Sequence, residues 1–147
     1  MPTETRSFDL AIGPIITVSI GLPQDEAMSY FSKGMTIPAR STCSALIDTG
    51  ATGIVVNPDI FAKIGTSQYI PLNAHGVGGE ERVEAAYISL SVLCSDGTLL
   101  FGFPKILAIR PNHRLPEGQE CLVGRSVLSK FKFRYDGRAN IFELETL

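Results

Sequence analysis

Apolar residues recur mostly at every second position along the chain, and Gly or Pro interrupts nearly every run, which is the pattern of short strands joined by turns. Residues 14–22 (PIITVSIGL) read as a first strand, and 44–50 (SALIDTG) as a short apolar strand that runs into a turn. Residues 53–57 resume the apolar run directly afterwards. Residues 83–93 alternate as a long strand, 95–98 (SDGT) form a hairpin turn, and 99–109 supply one or two further strands. Helical spacing is rare. Residues 58–65 carry Pro early and Gly late around apolar positions, and 125–131 (RSVLSKF) are the best helix in the chain. Residues 111–120 are a loop by composition, 121–124 (CLVG) an apolar strand ending on glycine, and the closing stretch a hairpin about Asp136 and Gly137. The pattern predicts an all-β chain.

Length adds that 147 residues make one domain, able to bury roughly 70% of its unfolded surface without metal or disulfide support. The formal net charge is -2 and no basic run occurs, so nucleic acid and anionic membrane surfaces are not expected partners. Cys43, Cys94 and Cys121 lie far apart in sequence, which suggests free thiols rather than a zinc site or a disulfide framework. No metal is expected. The opening MPTETRSFD lacks the positive start of a secretion signal, and the apolar stretch 10–22 is broken and too short for a bilayer. A cytoplasmic, reducing location is the expectation.

Candidate chemistry changes the picture at residues 45–56 (ALIDTGATGIVV), where one carboxylate, Asp48, sits between apolar residues beside a hydroxyl and a glycine. Turn punctuation accounts for such a step, because Asp, Thr and Gly are ordinary turn formers. A catalytic carboxylate accounts for it as well. His75 and His113 read as solvent-facing loop histidines, and Asp96 as a turn group.

Three features in order resemble the retropepsin-like aspartic proteases, the single-domain relatives of pepsin. LIDTGA places Asp48, Thr49, Gly50 and Ala51 after two apolar residues, matching that family's catalytic motif. The glycine-rich HGVGGEE at 75–81, ahead of a long alternating strand, is similar to its flap, with Gly76, Val77, Gly78 and Gly79 at the tip. LVGRSVLSKF at 122–131 matches its apolar-apolar-Gly element leading into a helix. The resemblance covers about residues 14–144 within a single domain, 1–147.

The resemblance implies a closed small β-barrel of the retropepsin type with one short C-terminal helix. It implies an aspartic endopeptidase acting on a peptide or protein substrate without a cofactor. Asp48, Thr49 and Gly50 would be the catalytic triplet, and Ala51, Gly76, Val77, Gly78 and Gly79 would meet substrate. Leu122, Val123, Gly124 and Arg125 would support the loop. Peptide hydrolysis without metal or nucleophile needs two adjacent carboxylates sharing one proton, since like charges about 3 Å apart repel by roughly 5 kcal/mol at an effective dielectric of 20. Only one Asp-Thr-Gly occurs, so the second carboxylate is expected from another copy, in a homodimer. Two departures stand out. Many retroviral members pair the arginine with an acid shortly after the motif, but Thr52 and Gly53 stand there, so Arg125 needs another partner. The stretch 23–44 is longer than in the viral enzymes and reads as a surface loop, or else as a wall of the cleft. The other function class is a catalytically silent dimerisation or peptide-binding module on the same barrel.

Overall fold

The computed structural model describes residues 2–76 and 78–147. In chain order the elements are β1 (Thr3–Ser7), β2 (Ile15–Gly21), α1 (Gln24–Ser32), β3 (Ser41–Ile47), β4 (Ile54–Val56) and α2 (Pro58–Ile64). They continue with β5 (Ile70–Gly76), β6 (Gly79–Leu93), β7 (Leu99–Arg110), β8 (Cys121–Val123), α3 (Arg125–Leu128), β9 (Phe131–Asp136) and β10 (Ile141–Thr146).

The chain is mostly β, and six of its strands close into a barrel in the order β2-β3-β8-β4-β7-β6, with β6 returning to pair with β2. Closure leaves no open edge on that circuit. The β-branched β2 alternates strictly, turning Ile16, Val18 and Ile20 into the core, where they meet Ile54, Val56, Ile88, Leu90 and Val123. Strand β6 is long enough to serve two sheets' worth of neighbours. Its second half pairs with β7 and β2, while its first half extends as a hairpin with β5, from Ile70↔Ala85 to Gly76↔Gly79.

Helix α2 buries Ile60, Phe61 and Ile64 against the barrel, opening on Pro58 and closing on Gly65 in the left-handed region (φ 84). A second sheet, β1-β10-β9, packs Phe131, Phe142 and Leu144 onto the same core. Its β1 has no apolar alternation; five polar residues form a strand there because β10 offers a complete register, Thr3↔Glu145 to Ser7↔Ile141.

Helices differ from the expectation of one short C-terminal helix. There are three among the described residues, and the C-terminal one is a four-residue turn followed by two strands. The 23–44 stretch is not a loop throughout, since it contains α1, which starts after Pro23 and buries no side chain. Arg40 fastens the stretch to the barrel, donating from Nε and Nη2 to Ser19 Oγ and O (2.9 Å each) and from Nη1 to Ser89 Oγ (2.6 Å). Lys105 bridges to Asp25 at 3.2 Å. Among the described residues no helix is long and apolar enough to cross a membrane.

Candidate functional site

Strand β8 lies between β3 and β4, parallel to the first (Ile47↔Val123) and antiparallel to the second (Ile54↔Val123). The chain leaving β3 therefore has to cross the end of β8 before it can enter β4. Residues 48–53 make that crossing. Asp48 begins it by donating its N–H to Val123 O (2.9 Å), and the turn closes with Ala51 N–H on Asp48 O (3.2 Å). The Asp48 carboxylate accepts the Gly50 N–H at Oδ1 (3.0 Å), which fixes its orientation over the turn. Asp48 is half-buried, whereas Thr49 and Gly50 are exposed.

The crossing is clasped from behind by the start of α3. The Arg125 and Ser126 amides, unused within so short a helix, donate to Ala51 O and Thr52 O (2.9 Å each). The guanidinium of Arg125 donates from Nη1 to Thr49 O (2.8 Å) and from Nη2 to Thr52 Oγ1 (3.2 Å). Arg125 thus pairs with a backbone carbonyl and a hydroxyl rather than with an acid. Gly124 is buried beneath the loop, and a Cβ there would stand 2.5 Å from both Ala51 O and Gly53 O. Leu122 is half-buried and Val123 fully buried in β8. All four residues expected to support the loop thus lie in or directly after the strand it crosses. Arg125→Ala is expected to cost about 1 kcal/mol, because its side chain is exposed, and to speed amide exchange at Ala51 and Ser126 over wild type. Unchanged exchange at those amides would show that the guanidinium does not hold the loop.

On its far side the crossing borders a groove of about 420 Å³. Gly50, Ala51, Thr52 and Gly53 form one wall, Leu72, Ala74, His75, Glu81 and Val83 of the β5–β6 hairpin another, and Val55 and Ile109 lie among its apolar lining residues. Of the described residues expected to meet substrate, only Ala51 lines this groove; Gly50 of the catalytic triplet joins it, whereas Asp48 and Thr49 are not among its lining residues. Gly76, Gly78 and Gly79 line a hollow at the hairpin end that shares Ala74, His75 and Glu81 with this groove. Val77 lies outside the described residues. Nothing from 23–44 lines the groove, so that stretch does not wall this cleft. Side chains that sequence reasoning passed over, Leu72, Val83 and Ile109, face it instead; their alternation marked them as strand residues but not which strands would meet.

The remaining candidates separate cleanly. His75 and His113 are exposed, and Asp96 accepts both the N–H (2.9 Å) and the hydroxyl (2.6 Å) of Thr98, contacts that lower its pKa. Among the described residues no group of three or more His, Cys, Asp or Glu side chains is placed to hold a metal ion. A second hollow of about 490 Å³ lies between the start of β3, α2 and the 111–120 loop, with Cys43, Lys63 and Glu120 in its lining. There Asp59 sits 3.3 Å from Arg114 and 3.8 Å from Lys63, the Arg114 contact being an ion pair without hydrogen-bond alignment.

Burial, reinforced by Glu120 and Asp59, pushes the Cys43 thiol up to about 12. Burial also raises Cys94, and Cys121, fully enclosed, is raised well above its usual value. None is poised as a thiolate. A thiol with its pKa raised stays neutral as pH climbs past its ordinary value of 9.0, so Cys43 is expected to alkylate with iodoacetamide at about pH 8 at least ~100-fold more slowly in the native protein than in urea. Equal rates would contradict its burial.

Fold and site together define a small, closed six-stranded β-barrel with a clasped, acid-bearing crossing loop beside a groove. No family model matches the chain, and no curated protein matches it.

Proposed function

We propose that this chain is a retropepsin-like aspartic endopeptidase, active as a homodimer in which each copy supplies one Asp48. The observation that carries the reading is the placement of Asp48. It is a half-buried carboxylate at the start of a loop seated over Gly124 and held from behind by Arg125, and the following residues 50–53 of that loop line a groove bounded by a hairpin. Such a loop can hold a carboxylate at a fixed position beside the end of an extended peptide laid along the groove.

In the dimer, the ionised carboxylate of the pair takes a proton from a water as the water oxygen attacks the peptide carbonyl carbon. The protonated one donates its proton to the carbonyl oxygen. Collapse of the tetrahedral species breaks the C–N bond, and the amine leaves with a proton returned from the pair. Thr49, exposed beside the symmetry axis this requires, would tie the two loops together, and Gly50 would let the substrate backbone approach.

The test is cleavage of a diverse peptide library by wild type and Asp48→Asn, side by side from mildly acidic to neutral pH. Cleavage by wild type alone is the expected result. A folded, dimeric wild type that cuts nothing across that range would overturn the reading and leave the binding module in its place.

A further inference from the structure

Antiparallel pairing of β6 with β7 runs down to Glu84↔Arg110 and stops there. The next residue, Pro111, has no N–H with which to extend the ladder. Beyond that point β6 pairs with β5 alone, from Leu72↔Val83 to Gly76↔Gly79. The groove-wall residues Leu72, Ala74, Glu81 and Val83 lie on this free length of the hairpin. One side chain crosses back to it. Asn112 donates from Nδ2 to Glu81 Oε1 (2.8 Å) and to Arg82 O (3.0 Å). Both partners accept, so an amide nitrogen with two hydrogens satisfies them where a carboxylate would not. In the register set by Glu84↔Arg110, residue 82 stands opposite residue 112, two positions further along each segment. The side-chain amide therefore takes over where the backbone ladder ends. Its own footing is firm. Leu115 donates its N–H to Oδ1 of the fully buried Asn57, and Arg114 stands 3.3 Å from Asp59 on α2.

We propose that Asn112 is a positioning residue that sets the opening of the groove, by holding the free length of the hairpin at a fixed distance from the 50–53 wall. Its effect on a substrate rests on the proposed function; its effect on the hairpin does not. Asn112 touches no reacting group and acts through Glu81 and Arg82. A peptide in the groove lies between one wall clasped by α3 and another held by Asn112. A hairpin that is already held loses less freedom when the peptide binds, so binding is tighter. Losing the two bonds therefore weakens binding more than it slows the bond-breaking step, which the proposed mechanism gives to Asp48.

The experiment is amide hydrogen exchange of the hairpin, with kcat and KM for a peptide that wild type cuts, on wild type, Asn112→Asp and Asn112→Asp/Glu81→Gln. The first substitution keeps the size of the side chain but sets a carboxylate against Glu81; the second restores a donor between the two. Asn112→Asp is expected to speed exchange at residues 72–74 and 80–83 at least ~5-fold, with β2 unchanged, and to raise KM at least ~5-fold with kcat within about twofold. The double variant is expected to move both values back towards wild type. Asn112 is exposed, so Asn112→Asp is expected to melt like wild type; should it unfold, Asn112→Ala, which only removes the donors, carries the same comparison. Unchanged hairpin exchange overturns the latch and leaves the proposed function standing. Faster exchange at unchanged KM, or a fall in kcat alone, overturns the positioning of the groove wall. If wild type cuts no peptide, the proposed function falls, and faster exchange that the second substitution reverses keeps Asn112 as the residue that holds the hairpin.

Discussion

Asp48→Asn is expected to lower peptide cleavage by 10²–10⁴-fold or more, with stability within about 0.5 kcal/mol of wild type. The two halves of that expectation come from different parts of the same side chain. Asn keeps an oxygen at Oδ1 to accept the Gly50 N–H, so the turn that orients residue 48 survives. What it removes is the capacity to carry a proton or a charge, and both carboxylate roles need one or the other. Because both copies would lose the group together in the proposed dimer, no residual single-carboxylate arrangement would remain. Turn punctuation predicts the reverse for function: a residue that only shapes the loop can be Asn with no effect on any activity. Library cleavage and thermal melting, measured on the same preparation, separate the two accounts.

Gly124→Ala is expected to be the most damaging small change to stability, about 3 kcal/mol, which is a fall in melting temperature of roughly 10 °C at this size. Backbone strain is not the cause, since Gly124 has φ -103, a conformation open to any residue. The cause is space. The added carbon would meet two carbonyl oxygens, Ala51 O and Gly53 O, at 2.5 Å, and the Ala51 carbonyl carbon at 2.8 Å. Those atoms belong to the crossing loop, whose Ala51 and Thr52 carbonyls are held by the α3 amides, so the loop cannot withdraw without breaking the clasp. Gly21→Ala is the control. Its Cβ would also meet an atom at 2.5 Å, but that atom is Nη1 of Arg40, the far end of a flexible side chain, and a loss well under that of Gly124→Ala is expected. Equal melting temperatures for wild type and Gly124→Ala would mean that the loop is not seated on β8 as described.

Much of the barrel could be read from period-two alternation, because strands such as β2 and β10 turn one face to the core along their whole length. Strand β1 could not, because its residues are polar and its conformation comes from pairing with a segment about 140 positions away. The placement of β8 between β3 and β4 is likewise a long-range fact: three apolar residues and a glycine announce a strand but not its neighbours. At the site, the acid and its turn were visible as Asp-Thr-Gly. The partner of Arg125 was not, because Thr49 contributes a backbone carbonyl, and every residue has one. Glycine marks where a chain can bend, whereas the groove is lined by the side chains of Leu72, Ala74 and Val83 several residues before and after the bend.

The pairing of β1 with β10 also decides how the molecule responds to force. Thr146 donates its N–H to Pro2 O (3.1 Å), and Thr3 faces Glu145, so the two ends of the described chain leave the sheet side by side. Tension applied between them would load the first hydrogen bond alone, then the next, peeling the ladder in sequence rather than shearing all its bonds at once. The barrel and its crossing loop would feel that pull only after β1 had come away, so the terminal sheet acts as a mechanical fuse in front of the site.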